Sequence, residues 1–332
     1  MGLLSFFNPP AKKPQIAKEK IDKEYKQMRL KVFLGIFLGY AAYYLVRKNL
    51  SLAAPGMSEQ GLIDKAGVGI AMSGIPIAYA FSKFLMGSLS DRSDARKFMT
   101  VGLILSSLVM IVAGVINYPM GANGNYGVTT WVMFAFMLLA GWLSGMGWPP
   151  CGRVLAHWFS TNERSFKMSV WNTAHNVGNG TLGVLIPLGI VIFTAFGIGE
   201  TWRAAFIVPA LVAMLIALFC WWAIRDTPES CGLPSIEKYR NDQWIYTAIT
   251  ASALASYPGD RTVAVLKELL HSPNWHVRYN ASQSLMALGL YYTDMIEVFE
   301  GCDRYAGEIM RYRFDQKNMK DKEAADIGLV SK

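Results

Sequence analysis

With 332 residues, 52% of them apolar and only 17% charged, the chain is too apolar to be read as a string of water-soluble domains. Its formal charge of +8 does not argue for nucleic acid, because the cations gather at the N-terminus, in short loops and after residue 242, where a membrane protein carries its exposed charge. The four cysteines (Cys151, Cys220, Cys231, Cys302) lack metal-ligand spacing and read as reduced, uninvolved thiols; no metal or cofactor is expected, and no nucleophile–base pair speaks for an enzyme.

Residues 1–29 form a basic N-terminus (Lys12, Lys13, Lys18, Lys20, Lys23, Lys26, Arg29), and no small-residue cleavage site follows an early apolar core, so no removable signal peptide is expected. Six apolar runs then have the length that spans a bilayer: 31–55, 68–90, 98–117, 131–157, 168–196 and 202–224. The connections after the first, third and fifth runs carry almost no Lys or Arg, whereas 91–97, 162–167 and 225 onward are charged. The positive-inside rule therefore places both ends of this six-helix domain, 30–225, in the cytoplasm, which predicts a multi-pass protein of the cell (inner or plasma) membrane. Gly- and Pro-rich stretches such as 145–150 predict close helix packing rather than lipid-facing surface.

Three places put polar groups inside these runs. In 39–49, GYAAYYLVRKN, Arg47 and Lys48 lie roughly 20 Å along a helix that starts at Val32, too deep for an ordinary flank. The plain alternative is that both snorkel to the far interface. Lys83 lies near the end of the second run with Tyr79 one turn before it, and His175 lies about two turns into the fifth. For Lys83 the plain reading is again snorkelling, for His175 a neutral ring bonded between helices, and for Tyr40 and Tyr44 simple packing. No Asp or Glu sits within the runs to match these cations, so their partner is expected to come from outside. Phosphate fits: Arg offers a planar fork of donors, tyrosine adds neutral hydrogen bonds, and histidine titrates near the second phosphate pKa of about 6. The connection 87–97 contributes Gly87, Asp91, Arg92 and Arg96, read either as a latch made and broken as helices rock or as a plain positive-inside turn.

After a linker, 226–243, the chain changes character. Residues 260–270 predict an amphipathic helix, 271–274 a turn and 277–290 a second helix, with Leu266, Leu269 and Leu270 facing Val277, Ala281, Leu285 and Leu288. A last charged helix is expected over 294–322, giving a soluble helical segment, 244–332, on an all-α protein.

At this point the chain resembles a known family. Gly-x-Leu-x-Asp-Arg followed by basic residues, at 87–97, is the loop signature of the major facilitator superfamily. Within it, the stretches 39–49, 73–93, 145–153 (GMGWPPCGR), 171–178 (WNTAHNVG) and 225–234 (RDTPESCGLP) resemble the organophosphate:phosphate antiporters. The resemblance covers residues 1–242 and implies rocker-switch exchange of glycerol-3-phosphate, or a related organophosphate, for inorganic phosphate. It makes Arg47 the phosphate-binding arginine, Lys48, Lys83 and His175 its supporting cations, and Tyr40, Tyr44 and Tyr79 the pore lining. Ser144 stands where the resemblance implies a glutamine facing the pathway, and Ser165 where it implies a glycine. The family has a second six-helix half, of which nothing is seen after Asp242; a join near Gln243 is expected, with a homodimer or a separate half completing the path. Residues 262–289 resemble instead one HEAT repeat, fewer than such arrays need to bury a core. The alternatives are a transporter-like sugar-phosphate sensor signalling through its tail, and a membrane-anchored scaffold.

Overall fold

The computed structural model of the protein describes residues 3–121, 125–240, 244–290 and 311–312, and among these every regular element is helical. The chain divides into one unit ending at Ile236 and a second beginning at Glu237. The first unit contains six stretches long and apolar enough to cross a membrane. They are built from α1 (Lys18–Leu45) with α2 (Asn49–Glu59), α3 (Lys65–Asp91), α4 (Ala95–Val115), α5 (Gly127–Ser144) with α6 (Trp148–Trp158), α7 (Thr161–Asn172) with α8 (Ala174–Ala195), and α9 (Ala204–Ala223).

Three runs expected as single helices are thus interrupted, at 46–48, 145–147 and 173. The first break is held by a side chain. Val46 and Lys48 leave the helical basin at φ/ψ of −111°/23° and −110°/13°. Asn49, fully buried, supplies Leu45 O with a bond from its Nδ2 (2.9 Å), the bond its own backbone N–H would make in an unbroken helix. The same nitrogen donates to Ala205 O at 2.7 Å. Ala205 needs that donor because the residue one turn on in α9 is Pro209, which has no N–H to give. At the second break the glycines Gly145 and Gly147 flank Met146, and Pro149 and Pro150 then sit in the first turn of α6, where a missing N–H costs nothing. The third is slight: Thr173 stays near the helical basin, its Oγ1 donating to Val170 O at 2.7 Å.

Small residues bring the spans together. α3 packs along α5, and α1 lies against α8 and α9. A Cβ on Gly141 would sit 2.5 Å from the Ile75 carbonyl oxygen, and Ser82 Oγ donates to Trp142 O across the same seam. On the other side of the unit, Gly178 of α8 lies directly against the Ala41 carbonyl of α1, so no larger residue fits there.

The two ends of the bundle are closed differently. At one, the N-terminal segment runs beside the stretch after α9: Lys13 N donates to Glu229 O (2.9 Å), Ile16 N to Gly232 O (3.0 Å) and Tyr25 Oη to Pro234 O (3.0 Å). Arg29 pairs with Glu163, which also completes the capping box of α7 with Ser160. We call this the charged end. At the other, buried Arg203 donates to Gly114 O (2.8 Å), Ile116 O (2.9 Å) and Asn117 Oδ1 (2.8 Å), occupying the orphan carbonyls that end α4.

The short α10 (Ile236–Arg240) bridges the division between the units. In the second unit α11 (Trp244–Ala253), α12 (Asp260–Leu269) and α13 (Trp275–Ala287) surround a small core of Ala251, Leu266, Leu270, Ala281 and Leu285. Leu269 and Leu288 pack on its rim. The helices match the expected 260–270 and 277–290 to within a few residues at each end, as hydrogen-bond-based boundaries do. The expected charged helix over 294–322 lies outside the described residues except for 311–312, as does Cys302.

Candidate functional site

The three helix breaks place one group of side chains on a common face. Arg47 lies within the first break, Trp148 opens α6 just after the second, and His175 is the second residue of α8 after the third. Around them, aromatic rings and cations form a closed circuit. The Tyr40 ring lies 5.4 Å from that of Tyr44, with the two hydroxyls 3.3 Å apart. The Arg47 guanidinium lies 5.6 Å from the Tyr44 ring and 4.2 Å from the Tyr79 ring. Lys83 Nζ lies 5.9 Å from Tyr79 and 5.7 Å from Trp148. Trp148 is 6.4 Å from Trp171, and Trp171 returns to Tyr40 at 4.6 Å. His175 joins the circuit through Tyr44, 5.8 Å away.

The circuit is unevenly buried. Trp171 and Tyr40 are buried, Trp171 anchored by its Nε1 donating to Ile36 O (3.2 Å), while Lys83 and Trp148 are exposed and Arg47 and His175 lie between. Among the described residues, Arg47 and Lys83 form no ion pair and no side-chain hydrogen bond; aromatic faces hold them, each contact worth about 0.5–2 kcal/mol. A guanidinium held by ring faces keeps all five donors available to an incoming oxyanion. His175 Nδ1 contacts the Asn172 carbonyl, which can only accept, so the proton sits on Nδ1 and Nε2 is left for other partners. Lys48 is exposed, does not join the circuit, and lends its backbone carbonyl to Ser51 Oγ at 2.7 Å.

Of the residues read in the 87–97 connection, Asp91 and Arg92 are exposed at the end of α3, and Gly87 lines a cavity of about 470 Å³ with Lys83, Asp91, Trp148 and Arg153. The carboxylate at the N-terminus of α4 is Asp94, which accepts from Arg96 N at 2.9 Å, while the Arg96 guanidinium lies 5.0 Å from the Trp221 ring. The strongest polar contact of the region comes from residues the sequence reading passed over. Arg153 Nη2 donates to both oxygens of Asp226 at 2.5 Å, Arg153 Nη1 to Ser90 O at 2.6 Å, and Asp226 also accepts from Ala95 N at 3.0 Å. One buried carboxylate after α9 thus ties the start of α4, the end of α3 and α6. Burial pushes the Asp94 carboxyl above its ordinary range, against the opposing pull of Arg96 and with Asp226 adding to the rise. Arg153 ends one of the family-like stretches, Asp226 is the second residue of another, and Trp148 and Trp171 lie within two of them, which is the only signal that pointed to these positions. Ser144, expected on the pathway, is buried and donates its Oγ to Ala140 O of its own helix at 2.7 Å.

Comparison with known proteins gives this arrangement its family. The chain is 47% identical over 240 residues to the glycerol-3-phosphate transporter of Bacillus subtilis, covering 72% of this chain and 51% of that protein. It is 45% identical to the glycerol-3-phosphate transporter of Haemophilus influenzae (71% and 49% covered) and 34% identical to the membrane sensor protein UhpC of Escherichia coli (72% and 51% covered). The chain therefore spans about half the length of the relatives it matches. The profile of the Major Facilitator Superfamily matches residues 36–299, most of the length. A multi-pass membrane protein of six apolar spans with that match has one reading: the chain belongs to the Major Facilitator Superfamily.

Proposed function

We propose that the first unit carries one wall of an organophosphate pathway, binding the phosphate of glycerol-3-phosphate or a related ester in exchange for inorganic phosphate. The observation that carries this reading is the aromatic circuit, in which Arg47 and Lys83 are held without any carboxylate partner among the described residues. Cations placed this way cost free energy unless an anion arrives, so an excess of them on one face favours a mobile oxyanion over a structural ion pair. Lys48, exposed beside the break, adds charge at the rim, His175 presents its Nε2, and Tyr40, Tyr44 and Tyr79 give neutral hydroxyls and ring faces. The two transporters named above support the substrate class. A second copy of the chain, or a second six-helix polypeptide, would supply the opposite wall, and 87–97 with the Asp226 clamp would hold the cytoplasmic side closed or open. The charge distribution supports cytoplasmic ends in the cell membrane, and the second unit is read as a HEAT-like helical piece.

The test is exchange of radiolabelled phosphate by the purified chain in proteoliposomes, with and without glycerol-3-phosphate. Exchange abolished by Arg47→Lys supports the reading, because lysine keeps the charge and loses the fork; exchange indifferent to Arg47 overturns it. A second reading, a sugar-phosphate sensor acting through the second unit, is favoured by the likeness to the UhpC sensor. Its mark would be a transcriptional response to external sugar phosphate that is lost with the chain while uptake is unchanged.

A further inference from the structure

Where α1 and α9 meet near the charged end, a groove of about 530 Å³ is lined by Met28, Leu30, Leu34, Phe219 and Trp222, with Lys31, Gln27 and the carboxylate Glu24 as its polar members. Leu30 and Trp222 are 62% and 58% exposed, so the groove opens outward, where a spanning helix pair meets lipid. Lys31 Nζ lies 3.4 Å from the centre of the Trp222 ring, a cation set over the polar end of an apolar trough. Met28 also lines a second cavity, of about 500 Å³, walled by Lys12, Lys13, Arg96 and Arg225. Its two carboxylates are already engaged: Asp226 by Arg153 at 2.5 Å, and Asp94 by the Arg96 backbone N–H at 2.9 Å. Arg225, also in this wall, uses Nη1 on the carbonyls of Trp222 (2.9 Å) and Ile224 (2.7 Å). No residue of the aromatic circuit lines either space.

An apolar trough open to lipid beside a surplus of cations matches an amphiphile with an anionic head. A soluble anion gains nothing from Leu30, Leu34 and Phe219, and a zwitterionic lipid gains little from four neighbouring cations. We propose that this surface seats an anionic diacyl phospholipid, one acyl chain along the α1–α9 groove, the phosphate between Lys31 and Arg225, and the remainder of the head toward Lys12 and Lys13. The lipid would pin the N-terminal segment to the bundle, since Lys13 is itself bonded through its backbone N–H to Glu229 O in the stretch after α9, and Ile16 follows with a second such bond.

The experiment is native mass spectrometry of the full chain in detergent, titrated with phosphatidylglycerol or with phosphatidylcholine, and repeated with excess inorganic phosphate. Phosphatidylglycerol is expected to be retained in preference, with retention falling about fivefold for each charge removed in Lys31→Gln and Arg225→Gln. The pair Lys12→Gln/Lys13→Gln, in an extended segment outside the helices, should lose retention likewise and guards against a folding defect in the first two variants. Equal retention of the two lipids, or retention unchanged in both sets of variants, overturns the proposal. Displacement of phosphatidylglycerol by free phosphate also overturns it, in favour of a soluble-anion site.

Discussion

Asn49 is the residue whose replacement says most about how this bundle is held. Its Nδ2 serves two carbonyls, Leu45 O at 2.9 Å and Ala205 O at 2.7 Å, from a side chain with no solvent exposure. Asn49→Ala strands both acceptors inside a span. An orphaned buried group costs about 1–3 kcal/mol, although interhelical bonds in membranes average nearer 0.6 kcal/mol. Asn49 Oδ1 is itself buried without a partner, so losing it offsets part of the damage. The net expectation is a loss of about 2 kcal/mol. The cause can be isolated through Pro209, because Pro209→Ala restores an N–H four residues after Ala205. In that background Ala205 O no longer needs Asn49, and the cost of Asn49→Ala should shrink by about 1 kcal/mol. The assay is reversible unfolding in mixed micelles by added SDS, run on the wild type, both single variants and the double. Costs that add to within about 0.3 kcal/mol would refute the shared-acceptor account.

Three further outcomes follow from the same geometry. Asp226→Asn leaves the Arg153 guanidinium without its carboxylate and should cost about 3 kcal/mol while speeding protease cleavage near residues 92–95; wild-type stability and cleavage together would sink the idea of a clamp. Gly178→Leu must push α8 off the Ala41 carbonyl at a cost of about 1–3 kcal/mol, whereas Gly180→Ala, which meets open space, should be neutral or slightly stabilising; equal melting temperatures for the two would refute the packing argument. Because burial raises the folded-state pKa of Asp94, its contribution is fully present below the unfolded carboxylate value and is lost as pH rises through the folded one. Wild type should therefore gain on Asp94→Asn as pH is lowered from 7 toward 4, read as the difference in unfolding midpoint; a gain in the opposite direction excludes burial as the cause.

The six spans were legible because apolar runs of this length have few other uses, and their positions came within several residues of the helices except at the first, where α1 begins at Lys18, well before the expected start at 31. The breaks were not, for a physical reason. Nothing in YYLVRKNLS forbids a continuous helix, and the interruption depends on Pro209, more than 150 positions away, needing the donor that Asn49 provides. The second break was written more openly in Gly145–Met146–Gly147 followed by two prolines, yet the reading took those residues as packing. For the site, the i, i+4 pair Tyr40 and Tyr44 and the cations Arg47, Lys83 and His175 stood out as polar groups in apolar runs. Trp148 and Trp171, which close the circuit, did not, because a tryptophan in a membrane span has many plain roles. Asp94 and Asp226 escaped since each sits in a charged connection, where only the folded chain tells a paired ion from a solvated one, and Arg153 was passed over although it lies in α6, inside the fourth apolar run.

The hydrogen bond from Tyr25 to the Pro234 carbonyl joins positions 209 apart, and those from Lys13 and Ile16 reach slightly farther. At a synthesis rate of about 5–20 residues per second, the first helix leaves the ribosome some 10–40 s before its partner exists. During that interval α1 must wait in the bilayer with its small-residue face toward α8 and α9 uncovered. The contacts that fix the first helix are therefore among the last the chain can make, and its early residence in the bilayer is a stage the finished fold does not protect.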